Sequence, residues 1–435
     1  MPTTIPEVAD ALANVFTTTA EAIARDTRFV QRTSKLTGPA FVQTLTFGWL
    51  AKPQATLEEL TLTASARGVS ISPQGLDQRF TQRAADCLHD VLEAAVTRVV
   101  AADPVAIPIL QRFAGGVWLL DSTSVALPDA LNRDWQGFNQ CAAVKLQVRF
   151  DLLHGTLAGP MLQAGRHSDH KGPLQDLPLP RGALQLADLG YFDLDRFASW
   201  DKQGVYWLTR VQTNTRIYDA AGRRWLLPEL MATQQGTSVE LPIELGLKHR
   251  LPCRLLAQRV PAEVAAQRRE RMRDKASRKK KKIDPGRWAL AEWTIYVTNV
   301  PTEQLTKEEG LVLARCRWQI ELLFKLWKSE GHIDESRAHK PWRVLCETYA
   351  KLLGMVVQHW ILLVSCWSHA DRSLVKASRI VRDHAKQLAI VFGMRQLVCQ
   401  ILEVIRESLA VRCRLNKRRR KPAAYQLLLN LDELG

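Results

Sequence analysis

The sequence predicts an α/β protein: a mixed sheet core, interrupted by a β-rich insertion and flanked by N-terminal and C-terminal helical regions. Three observations carry this. Residues 1 to about 105 space their apolar side chains at the helical period, with few strand-like alternations. From 115 to 300 short β-type runs follow one another at Gly-rich joints, with one strand–helix unit among them. After Pro301 the helical period returns and holds to the end. At 435 residues the chain is long enough for two or three cores.

Within the first region, "TLEELTLTASARGVSISPQGLDQRF" (56–80) has a helical pattern, a break at Gly68, and Ser72–Pro73 as N-cap and first position of a second helix. Helix, short turn, helix is a DNA-binding arrangement and equally an ordinary helical hairpin. "GGVWLLDSTSVALP" (115–128), "AAVKLQVRFDLL" (142–153) and "TLAGPMLQAGR" (156–166) predict three consecutive strands. "GALQLADLGYFDLDRFASWDKQG" (182–204) predicts a buried strand, a turn at Asp188–Gly190 and a helix from about Asp193. "VYWLTRVQ", "SVELPIEL", "HRLPCRLLAQRV" and "WTIYVTNV" predict further strands between 205 and 300. The longest apolar stretch, "LLGMVVQHWILLVSCW" (352–367), has Gln358 and His359 in its middle; it is short and polar for a membrane span and predicts a buried helix.

Lys and Arg number 60 against 44 acids, a formal charge of +16, which suits a polyanionic partner, nucleic acid ahead of anionic membrane. The basic runs "RRERMRDKASRKKKK" (268–282) and "NKRRRK" (416–421) read as phosphate contacts, with a solvated, partly disordered loop as the alternative for the first. The start lacks the basic segment and continuous apolar run of a signal peptide. Eight Cys without a CxxC pair argue against a zinc ribbon and a disulfide framework, and fit reduced cytosol. No G-x-x-x-x-G-K-[ST] is present, so no ATP-driven step is suggested. His154, His167, Asp169 and His170 form a weaker metal candidate, outweighed by a hairpin and polar loop, and Ser122 and Ser124 lack the neighbouring His of a hydrolase triad.

The chemistry concentrates elsewhere. In "RCRWQIELLFKLWKSEGHID" (315–334), Arg317 and Glu321 are four residues apart and Lys328 is eleven from Arg317, about three α-helical turns, so one face is predicted to carry all three. Ile320, Leu323, Phe324 and Trp327 are predicted to face a core. Alone, an Arg–Glu pair at this spacing only stabilises a helix, by about 0.2–0.5 kcal/mol. Asp121, however, ends the strand "GVWLL" and Asp188 ends "LQLA", and reactive groups in α/β sheets gather beyond the carboxyl ends of strands. Singly, each Asp also fits an Asx-turn or cap. Three carboxylates converging with Glu321 would repel one another unless divalent cations sat between them, and all-oxygen donors favour Mg²⁺ over Zn²⁺.

These residues resemble the bacterial DDE transposases of the insertion-sequence-four type. The family signature is Tyr-x2-Arg-x3-Glu-x6-Lys, and Arg317, Glu321 and Lys328 fit it in register. "DSTSVALPD" is similar to the family's first-Asp motif, "ADLGYFD" to its second, and "WTIYVTNVP" to the strand that ends its β-rich insertion; the resemblance spans roughly 40 to 370. One position departs: the signature Tyr falls on Ala314, where its phosphate contact has no counterpart.

The resemblance implies a ribonuclease-H-like catalytic core that cuts and rejoins DNA. It implies Asp121, Asp188 and Glu321 as catalytic residues holding two Mg²⁺ ions, with Mn²⁺ able to substitute, Asp121 bridging the pair. It implies DNA contacts by Arg317, Lys328, Trp293, Trp318 and Arg210, with Trp293, 28 residues before Glu321, as the aromatic that holds a flipped base. The expected partners are double-stranded element ends and target DNA, with a homodimer in the DNA complex, no membrane, and a bacterial cytoplasmic location on the nucleoid. The expected organisation is a helical DNA-binding domain (1–105), the catalytic core (106–204 and 301–345), the insertion (205–300) and a C-terminal helical region (346–435). Two rival readings are a DNA-binding protein that has lost catalysis and a ribonuclease-H-like nuclease that cuts without joining.

Overall fold

Strand β1, Val117–Leu127, is where the helical first part of the chain gives way to sheet. In the computed structural model, which describes residues 2–32, 35–418 and 422–433, β1 runs through two units. The first unit comprises residues 1–107, 121–177 and 319–422; the second comprises 108–120, 178–318 and 423–435.

The helices of the first unit start where polar side chains satisfy their orphan N–H groups. Thr4 and Glu7 form a capping box on Ile5–Asn14, and Thr56 and Glu59 form one on Leu57–Ser65. Gly68, at φ +77°, follows the second of these, and Ser72 Oγ then accepts from Gly75 N (3.0 Å) to open Pro73–Asp77. The 56–80 stretch therefore folds as the predicted helix, turn and short helix. The apolar run of 352–367 lies in the long helix Pro341–Cys366, buried among Gly38–Ala51, Gln82–Val96 and Arg395–Arg412, as predicted. Its polar residues are satisfied: Glu347 and Lys351 pair at 2.8 Å, Lys351 also donates to the carbonyls of His332 and Glu335, and His359 bonds the Gly155 carbonyl at 2.7 Å. Gly155 sits at φ +72°, and a Cβ there would lie 2.3 Å from Leu363 and 2.6 Å from the Trp367 ring, so only glycine fits.

Strands β2 (Ala142–Asp151) and β3 (Leu157–Ala164) form an antiparallel hairpin, in the order β3-β2-β1. Alternation puts Lys145, Gln147 and Arg149 on one face of β2, and all three are buried. They hold the loop after β3: Lys145 bonds the His167 carbonyl and Asp169, Gln147 the Asp169 carbonyl, and Arg149 the carbonyls of Leu174 and Leu177. This is the predicted hairpin and polar loop. Asp169 is committed to Lys145, and His154 bonds Asp151.

The second unit contains the first half of β1 with β4 (Leu184–Ala187), β5 (Tyr206–Thr209), β6 (Arg216–Tyr218), β7 (Arg224–Leu226), β8 (Ser238–Leu245), β9 (Leu251–Arg259) and β10 (Trp293–Thr298). The strand order is β1-β4-β5-β10-β9-β8-β6-β7. β1, β4 and β5 are parallel, with the helix Leu194–Lys202 between β4 and β5; the remaining pairings are antiparallel. The strands of the insertion thus continue the ladder outward from β10. The core is built on Phe197, Trp207, Leu255, Trp293 and Val297, with Phe197 and Trp207 stacked at 4.8 Å.

Over residues 268–278 the first basic run departs from the loop alternative, while Lys279–Lys282 form an exposed turn and coil as that alternative expects. Residues Ala262–Arg278 form an α-helix, because its arginines are fastened to the strand that follows. Arg268 donates to the carbonyls of Ala291 (3.3 Å) and Trp293 (2.8 Å) and to Thr294 Oγ1 (2.9 Å). Arg269 pairs with Glu292 at 2.6 Å, and Arg269 and Arg273 lie over the Trp288 ring. Of the second run, residues 419–421 lie outside the described residues.

Candidate active site

Asp188 follows β4 at its carboxyl end and precedes the 3-10 turn Leu189–Tyr191. Its side chain makes no cap hydrogen bond, so capping does not account for it. It instead faces the guanidinium of Arg317, Nε to Oδ1 3.7 Å. Both line a small cleft of about 10 Å³ in the second unit, together with Leu186, Ala187, Leu208, Arg210, Tyr296 and Ala314. That is room for about one water molecule. Behind the cleft, burial and secondarily the charge of Arg210 pull the Arg268 guanidinium below its ordinary pKa, while Tyr296 opposes that shift. Asp188, Arg317 and the predicted Arg210 are therefore together.

Sheet parity explains which residues reach this cleft. Leu186 pairs with Leu208, and Leu208 with Thr298, so even-numbered residues of β4, β5 and β10 share a face. Asp188, Arg210 and Tyr296 continue that face. Trp293 has the other parity: it is 6% exposed, belongs to the core, and has Arg259 over its ring at 4.6 Å. Trp318, in contrast, is 55% exposed.

The signature helix also differs from its expected geometry. Ala314–Arg317 is a 3-10 turn, and the α-helix runs only over Trp318–Ser329. Arg317 precedes that α-helix, so the angular count of about 100° per residue that put it on one face with Glu321 and Lys328 does not extend to it. Ile320, Leu323, Phe324 and Trp327 are buried as predicted.

In the first unit, Asp121 is half-buried on β1 and accepts from the backbone N–H of Ser122 at 2.8 Å. Ser122 Oγ donates to Asp169 (2.7 Å), which also holds Lys145 (2.9 Å), so a polar network fixes β1 just past Asp121. Glu321 is half-buried on its helix, and Lys328 Nζ donates to the Ser124 carbonyl of β1 at 3.0 Å. Sequence reasoning missed Lys145 and Tyr296 as neighbours of the candidate site residues. The only sequence signal for either was its place on a predicted strand.

The three acids offer oxygen donors alone, which fits a hard divalent ion. Among the described residues, His89, Asp90 and Glu93 bring three metal-ligating atoms within 4.8 Å of one another. They are sequence neighbours on one turn of Gln82–Val96, where helical spacing alone makes such a group.

Comparison with known proteins shows which family the chain belongs to. The transposase of insertion sequence element IS231F from Bacillus thuringiensis subsp. israelensis is 25% identical, over 94% of this chain and 91% of the relative. The transposase of IS1151 from Clostridium perfringens is 24% identical, over 79% and 77%. The putative transposase InsL of IS186A from Escherichia coli K12 is 32% identical, over 24% and 28%. The Transposase DDE domain family matches residues 113–356, a span that contains all three acids and both units' parts of β1. The mixed α/β core with helices at both ends is the ribonuclease-H-like arrangement of that family, and the chain is a bacterial transposase of the DDE domain family.

Proposed function

We propose that this transposase binds the double-stranded ends of its own insertion element, cleaves strands there and joins them to target DNA. Asp121, Asp188 and Glu321 hold the divalent ions, and Arg317, Arg210 and Lys328 hold phosphates. The observation that carries the reading is an acid, Asp188, at the carboxyl end of a parallel strand, not used as a cap and flanked by two arginines. In α/β sheets reactive side chains gather beyond the carboxyl ends of parallel strands, which is where this carboxylate stands.

The match to the Transposase DDE domain, which spans residues 113–356, supports assigning Asp121 and Glu321 with it. Two bound Mg²⁺ ions would supply the activation of an attacking water or 3′-hydroxyl and the stabilisation of the leaving oxygen. The chain's own work is to hold and orient: the Ser122–Asp169–Lys145 network fixes β1 beside Asp121, and Lys328 ties the signature helix to Ser124. Arg317 and Arg210 offer guanidinium forks to phosphate oxygens. Trp318, with its indole presented to solvent, is the aromatic available to stack on an extruded base. Processing two ends together needs two such sites, hence a homodimer on DNA.

The test is Asp121→Asn and Glu321→Gln, assayed on a duplex carrying the terminal sequence that flanks the coding region. Each variant should bind that duplex yet fail to nick it in Mg²⁺ or Mn²⁺. Near wild-type nicking by either variant would remove that carboxylate from the assignment.

A further inference from the structure

The cleft beside Asp188 contains a side chain with no role so far. Tyr296 projects from β10 on the face of Asp188 and Arg210, opposite to Trp293, and is half-buried. One register step beyond the pair Val297–Thr209 sets Tyr296 across from Arg210. Arg268, bonded to Trp293 and Thr294 on the same strand, adds a third guanidinium near the phenol. The lining thus contains two arginines, one phenol and one carboxylate, with a further arginine behind, so its balance is cationic.

This donor set selects its ligand. A phenolic O–H and guanidinium forks all donate hydrogen bonds, and Asp188 is the one carboxylate among the residues that line the cleft. A phosphodiester, singly charged with two non-bridging oxygens, can take a fork on one oxygen and the phenol on the other. With about 10 Å³ of space, the cleft can seat an oxygen at its mouth and has no room for a base. Ala314 contributes to the same wall and is itself buried.

We propose that Tyr296 donates its phenolic O–H to a phosphodiester of the bound DNA strand, beside Arg210 and Arg317, so that β10 provides the tyrosine contact absent at Ala314. This rests on the transposase reading above. Hydrogen bonds to charged groups predict that Tyr296→Phe weakens binding of the end duplex about ten-fold, with an unchanged melting temperature. A scan of single methylphosphonate substitutions along the duplex adds a readout that a structural role would not move. At one position the methylphosphonate should cost wild type several-fold more affinity than it costs Tyr296→Phe, which keeps only the arginine contacts to that phosphate, while Tyr296→Ala/Ala314→Tyr should regain affinity relative to Tyr296→Ala. Binding by Tyr296→Phe within two-fold of wild type, or additive losses at every phosphate, overturns the assignment of Tyr296 alone. A wild-type protein that neither binds nor nicks the duplex refutes the functional reading beneath it.

Discussion

Replacing Asp188 by Asn should move stability, DNA binding and cleavage in three different directions. The carboxylate lies 3.7 Å from Arg317 Nε, the two side chains being 39% and 24% exposed. In a water-like dielectric Coulomb's law gives about 1 kcal/mol at that distance, and measured exposed pairs are worth about 0.2–1 kcal/mol. No side-chain cap is lost with the charge. Unfolding free energy should therefore change by less than about 1 kcal/mol, a melting shift of no more than about 4 °C. Binding of the end duplex without divalent ions should tighten, because Arg210 and Arg317 lose their opposing charge. Its log–log salt slope should steepen by up to about 0.9 for one more neutralised phosphate. Nicking in Mg²⁺ should fall about 10³-fold or more, since several kcal/mol of transition-state charge stabilisation depend on the ion that this carboxylate holds. Thermal melting, fluorescence anisotropy in EDTA across a salt series, and a gel assay of single-strand nicks measure the three quantities. Nicking within ten-fold of wild type refutes the role of Asp188 as an ion-holding residue, and a melting loss well beyond 4 °C shows that the charge serves the fold.

Lys328→Ala should weaken end binding and flatten the salt slope by about 0.9, the loss of one phosphate contact; an unchanged slope would leave Lys328 only its bond to Ser124. His359, fully buried with its pKa pulled down to about 4 by burial, is neutral in the fold and hydrogen-bonded to the Gly155 carbonyl. The unfolded chain takes up that proton near pH 6.5 and the folded one only near pH 4, so this contribution is complete above pH 6.5 and is lost as pH falls toward 4. It amounts to about 3 kcal/mol, and His359→Gln should flatten the acid limb of a melting-versus-pH curve; an identical limb contradicts the assignment. Trp293→Ala should cost about 3–5 kcal/mol of stability and slow every step alike. Trp318→Ala should spare the melting temperature and slow the step after nicking, and equal rates for all steps would remove Trp318 from base stacking.

What was legible in the sequence had a local cause. Ser72 and Gly68 mark a helix start and a turn through their own backbone preferences, and the stripe Ile320–Trp327 buries because 3.6-residue spacing collects it on one side. Asp188 was legible as an acid closing an apolar strand, whereas Asp121, expected to end its strand, lies inside β1, because the polar stretch Asp121–Ser124 stays paired in the sheet and the strand runs on to Leu127. Arg317 falls in a 3-10 turn and not in the α-helix, a difference that one turn of sequence is too short to reveal. The basic run was readable as solvated because the partners that fold it, the carbonyls of Ala291 and Trp293, carry no side-chain signal. Lys145, Gln147 and Arg149 alternate with apolar neighbours like the wet face of a half-exposed strand, yet their hydrogen bonds to loop carbonyls allow both faces of β2 to be buried.

The two aromatics of β10 show where this limit bears on chemistry. Trp293 is the larger and carries the family resemblance, so a reading from spacing gives it the DNA. Period two within β10 establishes only that Trp293 and Tyr296, three residues apart, point to opposite faces. Which face holds Asp188 depends on register between strands that are far apart in sequence: Leu186 against Leu208, and Thr209 against Val297. A slip of one residue in either pairing would exchange the two aromatics between core and cleft. The register is held because Trp293 and Val297 join the core with Trp207 and Leu255, and a slip would expose them. The burial of Trp293 is therefore what aims Tyr296 at the cleft, and enlarging or polarising the core position 293 should misdirect position 296 without touching it.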